Sequence, residues 1–412
     1  MMNKYQLLII GGGSAGIAAA LGAYENGLEK ILVIERESEY GGILQQCIHN
    51  GFGLHTFNEE LSGPQYAEKY YNLIKDNKCI EFMYNASVIK IQDKTLSVQT
   101  PDGLLHISAD AIVLSTGCRE RPAGAIGMKG NRCEGVYTAG TAQKYLNKQG
   151  YLVGRKVFIL GSGDIGLIMA RRMTLEGAKV IGVAELQPYS NGLARNIKQC
   201  LEDFDIPLYL SHTVESVHGK SRLEYITLIA VDEKLNKIEG SEKKIECDCL
   251  LLSVGLIPEN TLIEELNVEI DPRTKGAVVD DNYMTSIPGI FACGNSLHVH
   301  DLVDYVSIEG KKAGKAAAEY VLNKTENGES VKNSVSNGVS YIVPQSFHKG
   351  RDVEFMFRVN RVYKDSSIHV YGNGIDKKIK KLGIVPSEMQ KVILKKEELE
   401  NLEGELNWEV LE

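Results

Sequence analysis

The stretch Tyr5-Gln-Leu-Leu-Ile-Ile-Gly-Gly-Gly-Ser-Ala-Gly16 decides the fold. An apolar run ends in Gly11-x-Gly13-x-x-Gly16, and an alanine-rich segment follows. This reads as a short buried strand over 5–10, a tight turn, and a helix over 14–26. The pattern recurs 150 residues on, in Lys156-Val-Phe-Ile-Leu-Gly-Ser-Gly-Asp-Ile-Gly166. Each copy is followed by a second apolar strand ending in an acid, Ile31-Leu-Val-Ile-Glu35 and Val180-Ile-Gly-Val-Ala-Glu185. Both acids lie 24 residues after the first glycine of their turn, at 35 and 185. The spacing has a physical meaning. The first glycine makes the turn, the second lets backbone approach a pyrophosphate, and the third lets helix and strand pack closely. The helix N-terminus offers free amides to phosphate oxygens, and the acid accepts hydrogen bonds from ribose hydroxyls. Two dinucleotide sites on one α/β chain are therefore expected.

Outward from these copies, other segments fall into place. Ala111-Ile-Val-Leu-Ser-Thr116-Gly117 is a strand ending in small residues, and Cys249-Leu-Leu-Leu-Ser-Val-Gly255 repeats it. Thr285-Ser-Ile-Pro-Gly-Ile-Phe-Ala-Cys-Gly294-Asn295 follows, and residues 304–322 read as a helix with Asp304 as its N-cap. Residues 323–340 are polar and read as a linker. Beyond them Val353–Val359 and Ser367–Tyr371 are strand-like, with a turn at Asn373-Gly374. The lysines at 377, 378, 380 and 381, and the acids after 396, read as solvated surface, with a protein partner as the alternative.

Composition sets the outer limits. The chain has 412 residues, 43% hydrophobic and 24% charged, with 41 glycines in no Gly-X-Y period. Those values suit a globular chain of two or three domains. A net charge of −8 argues against a nucleic-acid partner. The uncharged run from Tyr5 to Tyr24 is broken by glycines, so no transmembrane segment is expected, and a cytoplasmic location is. The eight cysteines are too sparse for a disulfide scaffold and suit a reducing compartment.

The two glycine turns, the Ser-Thr-Gly strand and the Gly-Ile-Phe-Ala-Cys-Gly-Asn segment resemble the two-dinucleotide-binding flavoproteins, the superfamily of glutathione and thioredoxin reductases. The resemblance implies two Rossmann-like domains, an FAD domain (1–123 and 257–328) split by an inserted NAD(H) domain (124–256), followed by a linker and a small β-rich C-terminal domain (329–412). It implies that FAD meets Gly11, Gly13, Ser14, Ala15, Gly16, Glu35, Arg36, Gly42, Thr116, Gly117, Gly294, Asn295, Asp304 and Tyr305. NAD(H) would meet Gly161, Gly163, Asp164, Ile165, Gly166 and Glu185, and Gly255 would be a further cofactor-binding position. The superfamily usually carries Asp where this chain has Asn295, and the amide still offers a ribityl hydrogen bond. The helix start at Asp304–Ser307 would aim its amides at the flavin's N1–C2 side. Glu185 would repel a ribose 2′-phosphate, and no Lys or Arg occurs over 185–194, which favours NADH.

The cysteines depart from the reductase pattern. After Gly41-Gly42 the two disulfide positions hold Leu44 and His49, with Cys47 between them, and residues 133–160 contain only Cys133. Cys247-x-Cys249 is read as two buried strand thiols pointing the same way. A finer resemblance, carried by Gly41–Gly53, Gly255-Leu-Ile-Pro-Glu-Asn260, His298-Val-His-Asp-Leu-Val-Asp304 and short stretches around Pro344 and Pro386, is to FAD-dependent subunits that accompany anaerobic glycerol-3-phosphate dehydrogenase-like proteins. That branch includes subunits of opine oxidase, hydrogen cyanide synthase and heteromeric sarcosine oxidase. It implies electron transfer through a flavin, a partner dehydrogenase subunit, and a small-molecule substrate. Gln46, Cys47 and His49 would be the catalytic positions, with His49 able to move a proton near neutral pH. Two alternatives stand beside this: a disulfide reductase with atypical thiols, and a non-catalytic relay subunit. Self-association is left open. His298 and His300 form an HxH pair, but no further cluster has ligand spacing, so no metal is expected.

Overall fold

Strands buried on both faces lose their alternation and become continuous apolar runs. Leu7, Leu8 and Ile9 are each 0% exposed, and they lie at the centre of a mostly parallel sheet. The computed structural model describes residues 3–324 and 328–412. Strand Asn3–Ile10 pairs in parallel with Ile31–Ile34 on one side and with the end of Gly103–Leu114 on the other. Ile80–Met83 extends the sheet beyond Ile31–Ile34, and Ile290–Ala292 pairs with Gly103–Leu114. The start of Gly103–Leu114 continues antiparallel into Thr95–Thr100 and Ser87–Gln92.

Helix Ser14–Glu25 follows the first glycine turn. It packs against helix Val303–Val321 so closely that glycine is required at the contact. A Cβ on Gly310 or Gly314 would collide with the carbonyl oxygens of Ala15 or Ala19. Segments of the unit almost 300 residues apart in the chain are thereby joined. The predicted N-cap is corrected: the cap is Leu302, and Asp304 lies in the first turn. Its buried carboxylate accepts from Thr56 N–H at 2.9 Å and Gly53 N–H at 3.2 Å instead.

By contact, the chain divides into two units: Met1–Gln45, Asn50–Cys118 and Pro258–Glu412 form one, and Gln46–His49 with Arg119–Ile257 form the other. The second unit holds a five-stranded parallel sheet in the order Val136–Thr138, Cys249–Leu252, Lys156–Leu160, Lys179–Glu185, Leu208–Leu210. Its strands alternate between two cores. Val157, Ile159, Cys249 and Leu251 face one layer, while Phe158, Leu160, Leu250 and Leu252 face the other. The cysteine pair is corrected here. The strand begins at Cys249, and Cys247, just before it, packs in the opposite layer, so the two thiols do not point together.

Residues after 328 form a second β region within the first unit. Five strands in the order Ser346–His348, Ser330–Val335, Glu403–Leu411, Tyr363–Asn373, Ile375–Ile384 lie beside three, Val339–Val343, Val353–Val359 and Gln390–Leu394. Trp408 and Phe355 are fully buried in the core they enclose. The predicted linker is largely overturned, although its residues 325–327 lie outside the described residues. Ser330–Val335 is a strand with Val331 buried, paired in parallel with Glu403–Leu411. Its polar residues suggested a loop, but as a strand it needs only its inward side chains to be apolar. The acids after 396 lie on the surface as expected, none of them buried, and most are carried by helix Lys396–Leu399 and strand Glu403–Leu411. No helix among the described residues is long and apolar enough to cross a membrane.

Candidate functional site: two nucleotide cradles

The first glycine turn is built around close backbone approach. Gly11 has φ +105°, and a Cβ there would lie 2.5 Å from Ser115 O. A Cβ on Gly16 would collide with Gly11 O. At Gly13 a Cβ would meet nothing within 4 Å. The first and third glycines thus carry the packing, and the space over the second is open, as a pyrophosphate requires. Gly13 is the N-cap of the helix and no side chain caps it, so the amides around Ser14, Ala15 and Gly16 are left for a ligand.

Glu35 closes this turn from the end of the neighbouring strand. It is 5% exposed, its Oε2 accepts from Gly12 N–H at 2.7 Å, and its Oε1 accepts from Glu37 N–H at 2.9 Å. Each oxygen keeps a lone pair for a ribose hydroxyl. Arg36 beside it is exposed. The loop after it folds onto the turn, with Gly41 N–H donating to Gly12 O at 2.8 Å and Gly42 packed against Gly13. Thr116 Oγ1 donates to Glu259 O at 2.6 Å, and Gly117 O accepts from Glu259 N–H. Asn295 Oδ1 accepts from His300 N–H at 3.0 Å, which leaves its Nδ2 to meet a ligand. Tyr305 stacks on His55 with ring centroids 5.5 Å apart.

The second turn repeats the design. Gly161 has φ +101° and lies against Ser253 O, Gly166 lies against Gly161 O, and the space over Gly163 is open to 4.0 Å. Glu185, also 5% exposed, accepts from Ser162 N–H at 3.0 Å, Ser162 Oγ at 2.7 Å and Gln187 N–H at 3.0 Å. Asp164 and Ile165 open the helix Asp164–Leu175, and Asp164 Oδ1 accepts from Leu193 N–H at 2.9 Å and Asn196 Nδ2 at 2.7 Å. Gly255 has φ +100°, and its carbonyl accepts from Arg121 N–H. These donors, open spaces and acceptor-only carboxylates fit FAD in the first cradle and a nicotinamide dinucleotide in the second.

The structure brings Gln46, Cys47 and His49 together within the second unit. Gln46 Nε2 donates to Gly140 O at 2.8 Å and Gln143 Oε1 at 3.1 Å, and Gln46 O accepts from Asn147. Cys47 Sγ lies 3.7 Å from Gln143 Oε1. Burial pushes the Cys47 thiol up to about 12, so it is protonated at neutral pH. None of the eight cysteines is joined in a disulfide. Burial lowers the His49 pKa, the nearby Asp164 partly restores it, and Arg195 lowers it further. His49 therefore belongs to the surroundings of the second cradle's helix start, and Arg195 is the first cation past the stretch 185–194, which holds no Lys or Arg.

One buried residue escaped sequence reading. Glu309, 1% exposed, meets both histidines of the HxH pair: His298 Nε2 lies 2.9 Å from Oε2 and His300 Nε2 3.2 Å from Oε1. The expectation that no acid joins this pair is corrected, since the three residues group within ligand distance. The signal was hidden because the acid lies 11 and 9 residues on, across a loop and into a helix.

Two cradles of this kind on one chain define a pyridine-nucleotide-dependent flavoprotein. A family model described as pyridine nucleotide-disulphide oxidoreductase matches residues 5–336, and the chain belongs to that family. Its members bind FAD and NAD(P)H, and this chain is an FAD-dependent NAD(P)H oxidoreductase. It is 26% identical over 357 residues to the glutamate synthase [NADPH] small chain of Mycobacterium tuberculosis, covering 77% of this chain and 67% of that one. It is 23% identical over 341 residues to an opine oxidase subunit of Agrobacterium tumefaciens, covering 77% and 66%. In fold it is similar to the thioredoxin reductase of T. acidophilum, with TM-score 0.63, 22% identity, and coverage of 77% of this chain and 98% of that one.

Proposed function

We propose that this chain carries electrons between NAD(H) and a partner subunit or acceptor, as the second flavoprotein of a heteromeric dehydrogenase. The observation that supports it is the presence of two intact nucleotide cradles on a chain whose cysteines form no disulfide, with Leu44 and His49 at the two positions where a reductase keeps its cysteines. A dithiol cycle needs two sulfurs in reach of one another. Relatives named as subunits, those of opine oxidase and of hydrogen cyanide synthase, support the assembly. The partner would bind the organic substrate, glycerol 3-phosphate or a similar small molecule.

Bound FAD supplies the hydride and electron chemistry. The chain's residues bind and orient. Glu35 and Glu185 hold ribose hydroxyls, and the helix starts at Ser14 and Asp164 hold phosphates. Glu185 places a fixed negative charge where a 2′-phosphate would sit, which selects NADH. His49, held neutral by burial, offers a proton acceptor beside the second cradle.

Anaerobic titration of the yellow holoprotein with NADH tests this. Bleaching of the flavin absorbance by NADH, with NADPH much less effective, is the expected result. A flavin that only a partner protein reduces overturns the NADH step and favours the relay. Turnover of a small disulfide overturns the flavin-only reading.

A further inference from the structure

Behind the turn Gly294–Asn295 lies a carboxylate that the nucleotide contacts do not use. Glu309 sits in the second turn of helix Val303–Val321. Its Oε1 accepts from Gly294 N–H at 2.5 Å, and its two oxygens face the Nε2 atoms of His300 and His298. Burial pushes the carboxyl up, but the flanking imidazoles and their hydrogen bonds outweigh that and hold it well below the usual carboxylate range. An ionised carboxylate only accepts, so both Nε2 atoms carry the hydrogen. Both Nδ1 atoms are then the bare nitrogens, and both are buried without a hydrogen-bond partner.

The three residues have the make-up of a metal site, yet the hydrogen bonding points elsewhere. Ligation through Nε2 would move each ring hydrogen to Nδ1, where no acceptor exists, whereas ligating histidines donate their second N–H to a partner. The trio reads instead as a clamp. It is roofed by the C-terminal strands of the same unit: Tyr341 stands edge-on to His298 at 6.2 Å, and Arg358 Nη2 donates to Val299 O at 3.1 Å. From the clamp a chain of contacts runs outward. Glu309 holds the His300 ring, His300 N–H holds Asn295 Oδ1, and Asn295 is left presenting its Nδ2. Glu309 also fixes Gly294 directly.

We propose that Glu309 is a positioning residue for the flavin, which sets Asn295 as a hydrogen-bond donor to the cofactor through His300 and the Gly294 amide. This replaces the acceptor that an aspartate at 295 would offer. The proposal rests on FAD occupying the first cradle, and not on the identity of any partner. Glu309→Gln puts an amide donor against three N–H groups that need an acceptor, while keeping the side-chain shape.

The test is a double-mutant cycle on the full chain, read as FAD affinity during reconstitution of apoprotein. E309Q is expected to weaken FAD about tenfold, because buried donors lose their acceptor. In an N295A background the same change is expected to cost no more than about twofold, because the path through Asn295 is already cut. H300Q, which removes only the middle link, should follow the same pattern and serves if E309Q folds poorly. E309Q binding FAD as tightly as the wild type overturns the proposal, as does an unchanged penalty in the N295A background. So does a stoichiometric transition metal in the purified wild type that E309Q loses. A wild-type protein that binds no FAD overturns the flavin assignment itself, which is a different failure.

Discussion

The two glycine turns share one cradle and differ in what closes it. In the first, only backbone touches the acid from the turn: Gly12 N–H meets Glu35. In the second, Ser162 adds its hydroxyl to Glu185, and Ser190 Oγ donates back to Ser162 O at 3.2 Å. The first helix opens with Ser14 and the second with Asp164, whose carboxylate ties down Leu193 and Asn196. The first cradle is covered by the Gly41–Gly42 loop and completed by residues from far along the chain. The second lies in one stretch of the chain with His49 beside it, and it carries the Asp164 carboxylate at the start of its helix. The same motif is thus closed in two ways, by a loop folded onto the first turn and by side chains around the second.

The sharpest way to separate the two cradles is to close each in turn. Gly16→Val forces a side chain into Gly11 O, an overpacking of about 1–3 kcal/mol or more. It should yield colourless protein on purification. Gly166→Val should leave the protein yellow but unreduced by NADH. If both variants keep flavin and NADH reduction, the assignment of the cradles is wrong.

Removing the acid of the second cradle comes next. Glu185→Ala strands the buried Ser162 N–H and deletes the ribose acceptor, at about 1–3 kcal/mol. NADH affinity measured by flavin reduction should fall by about tenfold or more, with FAD content unchanged. NADPH should lose less than NADH, because the repulsive charge goes with it. Equal losses for both would break the specificity argument.

Making the second helix start like the first should have a smaller, opposite effect. Asp164→Ser removes an anion from the phosphate end, so NADH should bind about threefold more tightly, within the 0.3–1 kcal/mol of such helix-end charges. The melting temperature should fall slightly, because that same acid favours the helix N-terminus and holds Leu193 and Asn196. A higher melting temperature with weaker NADH binding would contradict this.

The smallest expected effect concerns pH. The folded His49 lies below its ordinary value of about 6.5. Its contribution to stability is therefore present above that value and is lost as the pH falls from there through the folded pKa. His49→Asn should flatten the acid side of a melting-temperature profile slightly and leave it unchanged above neutrality. A change confined to alkaline pH would reject the assignment.

These differences show where sequence reading succeeds. Both turns were legible because strand, glycine and helix are adjacent in the chain, and each glycine answers a local steric demand. Glu35 and Glu185 were legible because a strand of fixed length places them. Glu309 was not, since its partners His298 and His300 are reached across a loop whose path no periodicity records. The strand Ser330–Val335 was hidden because its partners lie further along the chain: Val331 pairs with Phe347, and Asn333–Val335 pair with Leu406–Trp408, more than 70 positions on. Cys247 and Cys249 misled for a related reason: a two-residue period holds only inside a strand, and this strand starts at the second cysteine.

The glycines that seat helix Val303–Val321 on helix Ser14–Glu25 bear on how the molecule comes into being. On a ribosome the second unit is finished at Ile257, while the first still lacks Gly310 and Gly314. At about 5–20 residues per second the interval is a few seconds to roughly ten. During it the helix Ser14–Glu25 has no partner for its alanine face. The inserted unit is therefore the part that can fold on emergence, and the first cradle is assembled after it, from segments that precede and follow that unit in the chain.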